Sequence, residues 1–313
     1  MLRQILSRLG MMVVLIWIVS LAVFALTLLI PGDPTLTLLG DNATTDQIAS
    51  LRAALGLDEP FIVRYWNWFA GLLHGDLGTS LFSSYNVGSA IASRIWVTIS
   101  LVVGALIVSM VVGTIVGVIA GSRPGSLLDR AMLFLSSVGI ALPNFWLGIL
   151  LVTFFGVSLG LFPTGGYVPF TEDPIQWVSH LALPVVTLAA GGAAEVARQA
   201  RASVIDTLQL DFIRTLHAKG IKPRTILIKH ALRSALIPVV TVAGLQVSRL
   251  FGLSVLIESV FAIPGIGTLM IKAVFDRDIP MVQGTVLLAT VVVVLVNLLV
   301  DLAYGWLNPK AAE

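Results

Sequence analysis

The chain has 313 residues, 57% of them hydrophobic and only 12% charged, with a net charge of +2 and a mean hydropathy of +0.97. A soluble domain carries about 25% charged residues, so this much apolar surface requires lipid as the solvent for much of the fold. The absence of cysteine excludes disulfides and thiolate-held metals, and basic residues confined to loops beside apolar runs, with no aromatic-basic sheet motif, argue against nucleic-acid binding.

A bilayer core of about 30 Å takes roughly 20 helical residues. The first apolar run, 9–30, follows Arg3 and Arg8 and ends at Pro31-Gly32-Asp33-Pro34. The apolar core of a signal peptide is only about 7–15 residues and leads to a small-residue cleavage site, so this run reads as an uncleaved first span. The stretch 31–96 is long but not of low complexity. Thr45 to Gly56 carries a capping residue, helical apolar spacing and a stopping glycine. Phe61 to Leu73 carries Tyr65, Trp66, Trp68 and Phe69, which suits either the membrane–water interface or a small aromatic core.

Further runs lie near 97–121, 131–161, 179–197, 235–258 and 282–306. Within the second, Gly113, Gly117 and Gly121 share one helix face, which predicts close approach of another helix. Gly191-Gly192 and Glu195 make the 179–197 run the weakest. Six spans place both termini on one side, and loop charge tells which. The start, the 122–130 loop, the 198–233 loop and the tail hold thirteen basic residues, while 31–96, 162–178 and 259–281 hold five. Basic loops face the cytoplasm, so both ends are cytoplasmic. The expected architecture is all-α and polytopic: one transmembrane domain over 1–313, with an outer helical insertion at 31–96. No internal repeat is visible.

Chemical motifs are scarce. There is no phosphate-binding loop G-x-x-x-x-G-K-[ST], no H-E-x-x-H, no nucleophile elbow and no acidic calcium loop. His74, His180, His217 and His230 are far apart in sequence and fall on opposite sides of the membrane, so no catalytic residue and no metal site is expected. Four ionisable residues lie in or at the spans: Glu195, Arg249, Glu258 and Asp301. Glu195 reads as an i,i+3 partner of Arg198, Glu258 as snorkelling outward, and Asp301 as one turn from Asn297. Arg249 is the most interior. Such residues are either structural pairs or a translocation path. They are too few for an ion-coupled carrier, so the energy source lies outside this polypeptide.

The stretch 198–233 holds eight basic residues against Asp206 and Asp211, a net +6 that leaves −4 for the rest of the chain. Asp206 to Lys219 reads as a short helix with Gly220 as its stop. Pro223 opens a second helix through Thr225 to Arg233. Leu208, Phe212, Ile213 and Leu216 mark one apolar side. Such an element either docks in a groove of a soluble partner or lies on anionic lipid; charge alone does not choose.

Here the residues carry a resemblance. Asp211-Phe212-Ile213-Arg214-Thr215-Leu216-His217-Ala218-Lys219-Gly220, followed by His230 to Pro238, resembles the coupling loop of ABC importer permeases of the dipeptide/oligopeptide/nickel class, in particular the first of its two permease subunits. Matching segments follow in order along nearly the whole chain: Ile30 to Pro34, Leu55 to Pro60, Gly75 to Ser80, Leu142 to Gly148, Glu258 to Gly267, Arg277 to Pro280 and Asn297 to Asp301. Where the general importer loop has Glu-Ala-Ala, this chain has Arg214-Thr215-Leu216, which suits the peptide subclass. Leu232-Arg233 stands where the general pattern has Leu-Pro. The resemblance implies a type I importer permease fold in a bacterial cytoplasmic membrane. It implies alternating access driven through Arg214 to Gly220 and Pro223, with short peptides as cargo and nickel or glutathione as alternatives. The implied partners are a second homologous permease, two ATP-binding subunits holding ATP and Mg2+, an extracytoplasmic substrate-binding protein and membrane lipid. No cofactor is implied for this chain.

Overall fold

The computed structural model describes residues 2–26, 34–40, 43–83 and 85–307, and these are mostly helical with no strand among them. In chain order the helices are α1 (Leu2–Leu26), α2 (Pro34–Leu39), α3 (Thr45–Ala54), α4 (Phe61–Leu73), α5 (Val87–Gly121), α6 (Leu127–Ala141) and α7 (Asn144–Leu151). They continue with α8 (Pro174–Leu208), α9 (Asp211–Ala218), α10 (Pro223–Thr225), α11 (Leu232–Val260), α12 (Ile266–Phe275) and α13 (Ile279–Leu307). Two stretches are π-helical, Val152–Ser158 after α7 and Ile226–Ala231 between α10 and α11.

Among the described residues α5, α8 and the Ile279–Leu298 part of α13 are each long and apolar enough to cross a membrane. The 131–161 run, expected as one span, is instead a helix pair bent by 104°. Pro143 is the cause. Its ring disfavours helical backbone in the residue before it, and Leu142 is extended at ψ 129°, after which Asn144 starts α7. The 235–258 run lies within α11, and the 9–30 run lies within α1 as far as Leu26, its residues 27–30 being outside the described residues. The 179–197 run is the middle of a 35-residue helix and not a weak span.

The chain divides into two compact units. The first comprises Met1–Trp96 and Gly265–Val294. Its core is Val87, Ile91, Ile266, Leu269, Ala273 and Met281. Helix α3 opens with a reciprocal capping box: Thr44 Oγ1 accepts from Gln47 N, and Gln47 Oε1 accepts from Thr44 N. Part of the aromatic stretch forms a small core, while Ile62, Val63, Trp66 and Leu73 keep an exposed apolar face. Tyr65 is 1% exposed, stacks on Phe69 at 5.7 Å, meets Phe24 edge-on at 5.6 Å and shares a 2.9 Å hydrogen bond with Ser20 Oγ. Trp66 stays outside this cluster's interior, exposed.

The second unit comprises Val97–Pro264 and Leu295–Glu313. Helix α8 is its axis, packed against α6, α7 and α11. The glycine face of α5 seats on α8 as its spacing predicts. A Cβ on Gly113 would lie 2.7 Å from Ala193 O, and one on Gly121 would lie 2.8 Å from Arg201 O. Asp129, at the start of α6, is 2% exposed. Arg201 Nε donates to its Oδ1 and Nη2 to its Oδ2, the latter at 2.8 Å, while Gly125 N donates to Oδ2 at 2.8 Å. Asp129→Ala leaves the guanidinium uncompensated in a partly buried place. This is expected to cost about 3 kcal/mol, read as a lowered Tm of the purified protein; an unchanged Tm would show that another group replaces the carboxylate.

Candidate functional site

The basic stretch is smaller than it reads, because Arg198 and Arg201 are residues of α8. So is Asp206, which belongs to the last turns of α8 and does not begin a new helix. The break falls at Gln209 and Leu210: both N–H groups fold back on Asp206 O and Thr207 O at 3.2 Å, and Leu210 turns extended at ψ 148°. Helix α9 then runs for only 8 residues.

What holds α9 is a local apolar base. Ile213, 1% exposed, packs with Ile226 and Ala231 inside a ring of Leu208, Leu216, Ile221 and Leu227. The element therefore packs on its own flanks, from the end of α8 to the π-helical entry of α11. Phe212, expected on that apolar side, is exposed instead. At 100° per residue it cannot share the direction of Ile213.

The end of α9 closes on backbone. Gly220 N donates to His217 O at 2.9 Å and Ile221 N donates to Leu216 O at 3.3 Å, with Leu216 and Ile221 both in the apolar ring. This pair of bonds with its hydrophobic contact is a Schellman closure, which needs a left-handed residue, and Gly220 has φ +72°. Lys222 is then extended at ψ 137° and Pro223 starts α10, as Pro at a first helical position does.

The remaining candidates lie on the open side. Arg214, Thr215, His217, Ala218 and Lys219 are exposed. Thr215 Oγ1 donates to Asp211 O at 3.1 Å, and His217 Nδ1 sits 3.1 Å from Ile213 O. Arg214 reaches Asp211 at 3.4 Å, but the two side chains are 78% and 96% exposed, so the pair contributes little. A short helix is thus presented on a buried apolar base with its charged face and Phe212 outward.

The charges expected in the spans are arranged differently from their reading. Glu195 pairs with Arg249, not Arg198: Arg249 Nη1 donates to Glu195 Oε2 at 2.6 Å, joining α8 to α11. Glu258 does not snorkel. It is fully buried and accepts from Thr98 Oγ1 at 2.6 Å. The side chain of Asp301 lies outside the described residues, while Asn297 Oδ1 accepts from Ser248 Oγ at 2.7 Å. Sequence reasoning missed the Asp129–Arg201 pair and Gln246, a 2% exposed amide on α11. For Gln246 the available signal was a polar residue inside an apolar run; Asp129 and Arg201 lie in loops of the sequence reading and offered none.

Two family models match this chain. Residues 113–313 match the binding-protein-dependent transport system inner membrane component, and residues 1–103 match the N-terminal region of such membrane components. A protein of Brucella abortus (strain 2308) named as a peptide transport system permease is 40% identical over 306 residues, 98% of each chain. One from Sinorhizobium fredii, named as a peptide ABC transporter permease protein, is 38% identical over 98% of each. The glutathione transport system permease protein GsiC of Salmonella typhi is 39% identical over 99% of this chain and 98% of that one. In fold the chain is similar to the MetNI methionine ABC transporter in an inward-facing conformation, with a TM-score of 0.55 and 21% identity over 70% of this chain and 96% of that one. A chain mostly helical over its described residues, with apolar helices long enough to span a membrane and a short exposed helix between α8 and α11, matched along nearly its whole length, belongs to the family of binding-protein-dependent transport system inner membrane components.

Proposed function

We propose that this chain is one transmembrane permease subunit of an ATP-driven ABC importer, forming half of a path that admits short peptides by alternating access. The observation that carries the reading is α9 itself. It is exposed, capped at Gly220, seated on a buried apolar base and joined at both ends to long helices of its own unit. A helix built this way transmits displacement into α8 and α11, and nothing in its own contacts consumes that role. Arg214 to Gly220 and Pro223 form the surface that a partner ATP-binding subunit grips. Phe212 adds an exposed apolar anchor for its groove.

If the bent pair over 127–158 counts as one broken span, the six apolar runs and the basic-loop count support six crossings with both termini in the cytoplasm. The assembly then consists of a second permease, two ATP-binding subunits carrying ATP and Mg2+, and an extracytoplasmic binding protein, all at a bacterial cytoplasmic membrane. Names of relatives at 40% and 38% identity support peptide cargo. Glutathione is the second reading, supported by the 39% identical glutathione permease; it is itself a small peptide, so both share main-chain chemistry.

The chain has no cysteine, so a single introduced thiol is a unique address. Ala218→Cys labelled with benzophenone maleimide is expected to yield, on illumination of membrane vesicles holding the whole transporter, an adduct with an ATP-binding subunit. The same label at Ser50→Cys on α3 should yield none. Lipid-only adducts at position 218 would replace the coupling reading with a membrane-surface helix.

A further inference from the structure

Helix α4 has two apolar faces, and they are used differently. Phe61, Tyr65 and Trp68 turn to α1, where their rings lie 5.3, 5.6 and 5.6 Å from Phe24. Ile62, Trp66, Phe69 and Leu73 recur at the spacing of a second helix face. Ile62, Trp66 and Leu73 are 55%, 53% and 73% exposed, and half-buried Phe69 meets Trp66 edge-on at 5.8 Å. Arg64 and Asn67 lie on the side away from this stripe.

Two observations bear on what covers the stripe. The first is the crossing. Phe61 and Trp68 stand about 10 Å apart along α4, yet both pack on the one ring of Phe24. Helix α4 therefore lies across α1 and not along it. Phe24 falls toward the C-terminal end of the apolar run 9–30, so α4 lies flat near that end of the span. The second is the direction. Tyr65 Oη shares its 2.9 Å hydrogen bond with Ser20 Oγ, one turn back from Phe24 and so deeper in the run. At 100° per residue, Tyr65 stands between the Phe24-facing side and the stripe. The turn about α4 that leads from Phe24 to Ser20 continues to Ile62, Trp66, Phe69 and Leu73. The stripe thus points along α1 toward the middle of the span, and Arg64 and Asn67 point away from it.

We propose that α4 is an interfacial anchor whose Ile62–Trp66–Phe69–Leu73 stripe is seated in the outer leaflet of the bilayer. The proposal rests on the orientation given above, with the start of α1 cytoplasmic. A helix lying in the interface sinks its apolar face about 5–10 Å into the headgroup and acyl boundary, and an indole such as that of Trp66 prefers that level. The aromatic core ties α4 to α1, and the stripe ties it to lipid. The 31–96 insertion is thereby held down on the membrane at its most aromatic helix.

The test places one label at a time on the complete transporter, with cysteine-free partner subunits, in phosphatidylcholine proteoliposomes; this chain has no cysteine of its own. A nitrobenzoxadiazole label on Ile62→Cys is expected to emit blue-shifted and to lose about half its intensity when the lipid carries bromine on its acyl chains. The same label on Asn67→Cys should ignore the bromines and be quenched by iodide. Iodide quenching at position 62 without bromine quenching overturns the anchor. Shielding of position 62 that arises only when the binding protein is added also overturns it and makes the stripe a protein-docking face. Labelling of Asn67→Cys by an impermeant maleimide from the cytoplasmic side alone overturns the outer-leaflet placement together with the orientation given above, whatever the bromines do.

Discussion

Gly117→Leu is expected to prevent α5 and α8 from packing and to abolish recovery of folded protein. A Cβ at this position would stand 2.7 Å from the Ala200 Cβ, with the Ala197 carbonyl carbon at 3.1 Å. These obstacles are backbone and a methyl group, not the ends of flexible side chains, so the helices must separate. Neighbouring turns repeat the constraint at Gly113 and Gly121, and separation at one turn loosens all three. Overpacking in a tight core costs about 1–3 kcal/mol. Here it exceeds that range, since lipid supplies no hydrophobic drive to hold the two helices together. The check is the monodisperse fraction after detergent extraction. Wild-type recovery and Tm would mean that α5 shifts along α8 at no cost.

Gly220→Val is expected to uncouple the machine: uptake falls at least about tenfold while ATP hydrolysis persists. No atom lies within 4 Å of a Cβ at Gly220, so the cost is not steric contact. It is the φ of +72°, a conformation that β-branched residues avoid. Relieving it breaks the Schellman bonds and turns Ile221 out of the apolar ring that seats α9. Asparagine tolerates left-handed backbone, so Gly220→Asn should keep most of the coupled uptake. Coupled transport by the valine variant would show that α9 is not the element through which force passes.

Features encoded within a few residues were legible in the sequence. The capping signal near Thr45, the glycine stop after α9, Pro223 as a helix start and the glycine face of α5 all depend on local backbone chemistry or on one helix's period. The pairings of charges were not. Glu195 was assigned to Arg198, three residues away, because sequence offers only near neighbours; its partner Arg249 is 54 residues on. Asp129 and Arg201 are 72 residues apart. Glu258 read as outward-facing because it precedes a loop, whereas Thr98 holds it inside. The bend at Leu142 was hidden because hydrophobicity continues across it, although Pro143 was in plain view.

Helix α8 has a further consequence as a lever. Its 35 residues span about 52 Å, well beyond the about 30 Å of a bilayer core. It ends only two residues short of α9, and Pro184 interrupts its ladder. The missing N–H weakens the helix at that point, so a displacement handed on from α9 is expected to be taken up there. A swing of about 10° there would carry the Leu208 end through about 6 Å and Glu195 through about 3 Å. Such a displacement would be halved at Glu195, where the ion pair to Arg249 ties α8 to α11.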